Sequence, residues 1–210
     1  MRRLKPITTL CFALLLFCNI QAQEPDSPSV KQPALRRELL KLLEEDQAIR
    51  NKLISKGLKN PDKALLARMQ EIDAANTKRM RAIVSQYGWP SPELVGLDGA
   101  DAAFFLVQHA DFAFQKEMLP LVEKAYRSGG LPGQNYALLL DRVLVAEGKP
   151  QVYGTQAKHL KEWNGQEPTL QPIADEKNVD KRRAEVGLPT LSEYKQFLKR
   201  MYFPQSDGKP

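Results

Sequence analysis

A mainly α-helical, compact multi-helix domain carrying a small two-stranded β-hairpin is the fold this sequence predicts, on three observations. Apolar residues recur at three- and four-residue steps over most of the length, which is the period of one helix face. Only 151–156 and 169–173 switch to the alternation of a strand. Glycines and prolines cluster between these stretches, where turns and helix ends need them.

Taken in order, Leu35, Leu39, Leu42, Leu43, Ile49, Leu53 and Ile54 mark the first helix, which ends at Gly57. Asn60, Pro61 and Asp62 place a cap ahead of a proline at the first helical position. Leu65, Met69, Ile72, Met80, Ile83 and Tyr87 then carry a second helix to Gly88, and the short link makes the two an antiparallel hairpin. The stretch Gly88-Trp89-Pro90-Ser91-Pro92 cannot continue a helix. A third helical region starts near Asp98 and runs through His109 to Arg127, with Pro120 as its point of break or kink. Beyond the glycine-rich 128–133, Asn135 or its neighbour opens a helix over Tyr136–Glu147 that Gly148 closes. Gln151–Gln156 and Thr169–Ile173 are the partners of the expected hairpin, which is marginal alone and must pack on helices. Two last helices, Asn178–Val186 and Thr190–Tyr202, are parted by Gly187-Leu188-Pro189, and no repeat at a solenoid period is present.

The first residues read differently. Arg2, Arg3 and Lys5, an apolar run from Ile7 to Phe17 and the small Ala22 make a secretory signal peptide over 1–22, too short for a membrane span. The expected organisation is cleavage near Ala22, a flexible leader over 23–33, a single helical domain over 34–203 and a frayed tail over 204–210. The expected location is periplasmic or secreted, with no membrane span after cleavage. Cys11 and Cys18 both lie within 1–22, so the mature chain offers no disulfide, no thiolate nucleophile and no Cys-ligated zinc. Bulky Phe17 argues against Cys18 becoming an acylated N-terminus. Cleavage removes three basic residues and lowers the net charge from +6 to about +3. No Lys/Arg cluster with interleaved aromatics survives it, which argues against nucleic acid as a partner. A hydrophobic fraction of 42% with 31 basic and 25 acidic residues excludes a disordered chain and a multispan membrane protein.

Polar residues on apolar stripes are the candidates for chemistry, because a buried polar group costs free energy unless it finds a partner. Asn76 falls four residues from both Ile72 and Met80, and Asp46 between Leu42 and Ile49. His109 is the one mature histidine in an apolar neighbourhood, since His159 lies among lysines. Asp111 and Gln115 share a face of a regular helix on which His109 and Asp111 point apart, so those two cannot chelate one metal. No metal site is assigned; one built here would rest on carboxylates and favour Mg²⁺ or Ca²⁺ over Zn²⁺. Asp141 is expected to pair with Arg182 or Arg183, with Arg142 beside it, while Tyr153, Thr155 and Gln156 gather donors and acceptors in one glycine-containing turn.

Several of these residues form runs with a wider resemblance. Glu45-Asp46-Gln47, Gly88-Trp89-Pro90, Gln108-His109-Ala110-Asp111, Asp141-Arg142-Val143, the run 151–156, and Val179-Asp180-Lys181-Arg182-Arg183 with Val186-Gly187-Leu188 together resemble the bacterial family known as domain of unknown function 6624. The resemblance spans nearly the whole mature chain, and its most specific piece is Asp141 to Gln156 followed by the aspartate and paired arginines. It implies one domain and assigns no reaction, ligand or catalytic residue.

Two functions fit these residues. As a binding or interaction module, the chain would hold a small polar ligand, a peptide or another cell-envelope component near His109, Asp141, Tyr153 and Gln156. Asp46, Asn76, Gln115, Arg142, Thr155, Arg182 and Arg183 complete that candidate set, and no cofactor is called for. As a hydrolase, it would use His109 as general base, with Asp46, Asp111 or Asp141 orienting it or activating water through a metal. No nucleophile elbow, Walker loop or zincin helix is present in the sequence.

Overall fold

The structure, a computed structural model, describes residues 30–57 and 61–203. The expected signal peptide, most of the expected leader and the expected tail lie outside the described residues. Among the described residues the chain is mainly helical, with seven α-helices and no strand. By its internal contacts it divides into two compact units, 30–139 and 140–203, with the division inside the fifth helix.

The first unit is built from α1 (Pro33–Ser55), α2 (Lys63–Tyr87), α3 (Pro92–Gln108), α4 (Phe112–Arg127) and the start of α5 (Gly133–Ala146). One buried stripe of α1 runs Arg36, Leu39, Leu43, Asp46, Arg50, Leu53, in alternating steps of three and four. Half of it is charged, so this helix cannot be buried without specific partners. It lies most extensively against α3 and next against α2. Ion pairs Lys56–Asp62, Arg50–Asp73 and Glu38–Arg79 climb one helix as they descend the other, which makes α1 and α2 the antiparallel hairpin expected. The cap of α2 is Asp62, whose side chain accepts the amides of Ala64 and Leu65; the expected cap ahead of Pro61 is thus displaced by two residues.

Helix α3 begins with Pro92 at its first turn, breaks at Gly96 (φ 76°, ψ 167°) and resumes. Only glycine adopts that backbone without strain. The break lets Asp98 turn its carboxylate onto the Gly99 amide and, bidentately, onto Arg36 of α1, at 2.8 and 2.6 Å. Burial pushes Asp98 up, but Arg36 and the Gly99 amide outweigh it and hold the carboxyl below its usual range. Backbone bonds from the Lys31 amide to Glu93 and from the Gln32 amide to Leu94 join the residues ahead of α1 to the start of α3. The expected single helix from Asp98 to Arg127 is two, because the chain turns a corner over His109, Ala110 and Asp111. Pro120 sits inside α4 without ending it.

The second unit holds the end of α5, α6 (Val179–Glu185) and α7 (Leu191–Tyr202), with single 3-10 turns at Leu160–Glu162 and Glu176–Asn178. Thr190 and Glu193 close a capping box at the start of α7. Trp163, Tyr194 and Leu198 form a small core to which Phe203 adds its ring.

The expected two-stranded β-hairpin is not formed. The two segments do meet, but through isolated bridges that run parallel at Gln151–Ile173 and antiparallel at Ala157–Leu170, so no ladder can propagate. The backbone between those bridges has other partners. The amides of Val152, Tyr153 and Thr155 donate to the Asp141 carboxylate, and the carbonyls of Val152 and Tyr153 accept from Arg182 and Arg183. Gly154 turns the chain at φ 71°, where a Cβ would come within 2.8 Å of Leu191 Cδ1. Side chains have taken most of the hydrogen bonds a hairpin would need there, while the Gln156 carbonyl still accepts from the Gln171 amide.

Candidate functional site

The stripe of α1 and the corner after α3 meet at Asp46. This carboxylate is fully buried and is met by Arg50 Nη1 at 2.8 Å on Oδ1, with Gln47 Nε2 at 2.7 Å and His109 Nδ1 at 2.9 Å on Oδ2. Arg50 lies one helical turn after Asp46 and uses its second nitrogen on Asp73 of α2, also at 2.8 Å. One guanidinium therefore bridges two carboxylates. Burial raises the Asp73 carboxyl from 3.8 to about 6, opposed by Arg50 and reinforced by the negative charge of Asp46.

His109 is placed by the corner itself. It ends α3, and its amide still donates to Phe105. Asp111, a sequence candidate for catalysis, caps α4 by accepting the Phe114 amide at 2.8 Å. Gln115 is buried and donates to the carbonyls of Gln108 and Ala110, the two residues flanking His109, at 2.9 and 3.0 Å. Gln115 and Asp111 thus act on the imidazole through the backbone that carries it. The His109 side chain remains 13% exposed while Asp46 has no exposure, so the ring stands between the buried anion and the outside.

Asn76 lies at 5% exposure with its Nδ2 unpartnered among the described residues. Gln108 Oε1 and Trp89 Nε1 are buried and unpartnered in the same sense. Asp46, Asn76, His109, Asp111 and Gln115 therefore share the first unit, joined there by Arg50, Asp73 and Gln108. Sequence reasoning passed over Arg50 and Asp73, although an arginine four residues after a stripe aspartate and an aspartate three residues before Asn76 were both visible signals.

The remaining candidates belong to the second unit. Asp141 accepts the amides of Val152, Tyr153 and Thr155 and the Thr155 hydroxyl, all within 2.7–3.1 Å. Burial still pushes its carboxyl up, against those four donors. The arginines meet the same turn from the carbonyl side, so the expected direct Asp141–Arg bridge is replaced by the turn between them. Arg182 donates to Val152 and Ala174. Arg183, 1% exposed and lowered by burial, donates to Tyr153 and Pro189 and lies over the Tyr194 ring. Gln156 Nε2 donates to the Thr155 hydroxyl, and Gln151 closes the turn through the Gln156 amide and carbonyl. Arg142 keeps a buried Nε unpartnered among the described residues.

Among the described residues no group of three or more His, Cys, Asp or Glu side chains is placed to hold a metal ion, and no helix is long and apolar enough to cross a membrane. No protein with a curated description and no solved structure matches the chain significantly. A family model does match, over residues 33–205, and it spans both the Asp46–His109 pair and the Asp141 turn: the chain belongs to the family of unknown function DUF6624.

Proposed function

We propose that the chain is a hydrolase in which His109 is the general base and Asp46 positions it. The observation that carries this reading is the 2.9 Å contact between His109 Nδ1 and a fully buried carboxylate. With Asp46 as acceptor, Nδ1 carries the proton and the basic lone pair falls on Nε2. Arg50 and Gln47 hold Asp46, and Gln115 holds the corner, so the imidazole is oriented from two sides. In the reaction a water gives its proton to His109 Nε2 as its oxygen adds to the substrate carbonyl. The same proton then passes to the leaving group as the bond to it breaks.

Binding without turnover, on the turn 151–156, has less support, because Asp141, Thr155, Gln156, Arg182 and Arg183 all have internal partners there. Export belongs to the proposal and rests on the basic, apolar and small residues of 1–22. The test is a screen of the mature chain against chromogenic esters, anilides and phosphoesters, with His109→Gln and Asp46→Asn as controls. Turnover that falls about 100-fold or more in both variants supports the reading. Turnover no greater than that of His109→Gln on every substrate overturns it.

A further inference from the structure

The Arg50 guanidinium gives Nη1 to Asp46 of its own helix and Nη2 to Asp73 of α2, both at 2.8 Å. One cation between two carboxylates leaves these three groups with one negative charge in excess. Water has little access to it: Arg50 is 6% exposed, the Asp73 side chain 19% and Asp46 not at all. An uncompensated charge is costly in such a place, so the excess needs an answer. His109 stands where the answer can come from, with Nδ1 2.9 Å from Asp46 Oδ2. The row from His109 through Asp46 and Arg50 to Asp73 therefore reads base, anion, cation, anion. While the imidazole is neutral the excess remains, and a proton on the ring brings the sum to zero. The charged groups that neighbouring elements supply are engaged elsewhere. Asp98 of α3 holds Arg36, Asp111 caps α4, Arg81 of α2 pairs with Glu117 of α4, and Glu38 pairs with Arg79 along the hairpin.

Resting on the hydrolase reading, we propose that Asp73 is a positioning residue of that reaction: through Arg50 and Asp46 it supplies the net negative charge that the His109 imidazolium requires when the water gives up its proton. Without the charge of Asp73, Asp46 and Arg50 cancel, and protonating His109 would bury an unanswered positive charge. With it, the same proton transfer ends in a neutral cluster, so His109 is the stronger base. Arg50, held at both ends, also keeps the Asp46 carboxylate aimed at Nδ1. The device responds to pH. Burial lifts the Asp73 carboxyl from 3.8 to about 6. Above that value the charge stands, and below it Asp73 takes up a proton and the charge is withdrawn. The coupling is reciprocal, so a proton on His109 makes Asp73 the stronger acid.

The test is an NMR titration of the mature chain, read at the His109 ring and at the Asp73 carboxyl carbon, with circular dichroism to check that each variant is folded. In Asp73→Asn the His109 midpoint is expected about 1 pH unit lower, and in His109→Gln the Asp73 midpoint higher by a similar amount. Glu38→Gln removes a carboxylate from the same hairpin about two turns from Asp46, and is expected to leave the His109 midpoint within about 0.2 pH unit of the parent. On a substrate that turns over, the acid limb of the pH profile moves down with the His109 midpoint in Asp73→Asn, and the plateau falls about threefold. Loss of packing alone would lower the plateau and leave the limb where it was. A His109 midpoint unmoved in folded Asp73→Asn, or moved as far by Glu38→Gln, overturns the proposal. So does an Asp73 midpoint unmoved in His109→Gln. Both midpoints moved, with no turnover of any ester, anilide or phosphoester, upholds the charge coupling and overturns the hydrolase reading instead.

Discussion

Asp73→Asn is expected to gain stability over the parent chain as the pH rises. Burial lifts the Asp73 carboxyl from 3.8 to about 6, with Arg50 pulling the other way. Between those values the folded chain binds this proton and the unfolded chain has lost it, so each rise in pH favours unfolding. The cost is about 0.6 kcal/mol at pH 4, about 1.6 kcal/mol at pH 5 and about 3 kcal/mol at pH 7.5. Asparagine stands in for the protonated acid, keeps an oxygen for Arg50 Nη2 and has no proton to lose. Arg50 also retains Asp46, so no charge is stranded. Relative to the parent, the variant is therefore expected to rise by about 1.4 kcal/mol between pH 5 and pH 7.5, or about 3–6 °C in Tm. Urea melts followed by circular dichroism at the two pH values measure it. A difference that stays flat, or that shrinks as the pH rises, refutes the raised carboxyl.

Asp46→Ala leaves Arg50 with Asp73 and takes the Nδ1 partner from His109, and a loss of about 3 kcal/mol in the same melts is expected. Asp141→Ala orphans three amides and a hydroxyl at once; about 3 kcal/mol or more should disappear, with faster hydrogen exchange at Val152, Tyr153 and Thr155. For Arg36→Ala the expected loss is about 3–5 kcal/mol, whereas replacing Arg36 and Asp98 together by leucines should recover most of it. Gln115→Ala is expected to cost about 1–2 kcal/mol and to broaden the His109 ring signals in NMR, since two carbonyls of the corner lose their donor.

Helices with a sustained apolar period were legible in the sequence, α1, α2 and α7 above all. The failures share one cause: a side chain took over bonds that pattern reasoning assigns to the backbone. Asp111 reads as a helix-interior residue until it is seen capping α4, and the helix expected through it ends at His109. Gln151 to Gln156 alternates like a strand, yet Asp141 and two arginines claim its amides and carbonyls. The candidate site was legible in part for the complementary reason. Asp46 and Asn76 stood out as polar residues on apolar stripes, and His109 stood out as the histidine among apolar neighbours. That Asp46 and His109 meet is a matter of tertiary approach over 63 residues, which no local pattern encodes.

The charged stripe of α1 has a consequence for how the chain reaches its native state. A sliding of α1 by one turn, about 5.4 Å, would part Arg36 from Asp98, Arg50 from Asp73 and Asp46 from His109 at once. Wrong docking is thereby penalised far more heavily than it would be by leucines, which tolerate a shifted neighbour. The correct arrangement can only be completed late, because Arg36 waits for Asp98 and Asp46 for His109, each more than sixty residues away. Until then the α1–α2 hairpin holds its shape with the Arg36–Asp98 and Asp46–His109 contacts still unmade.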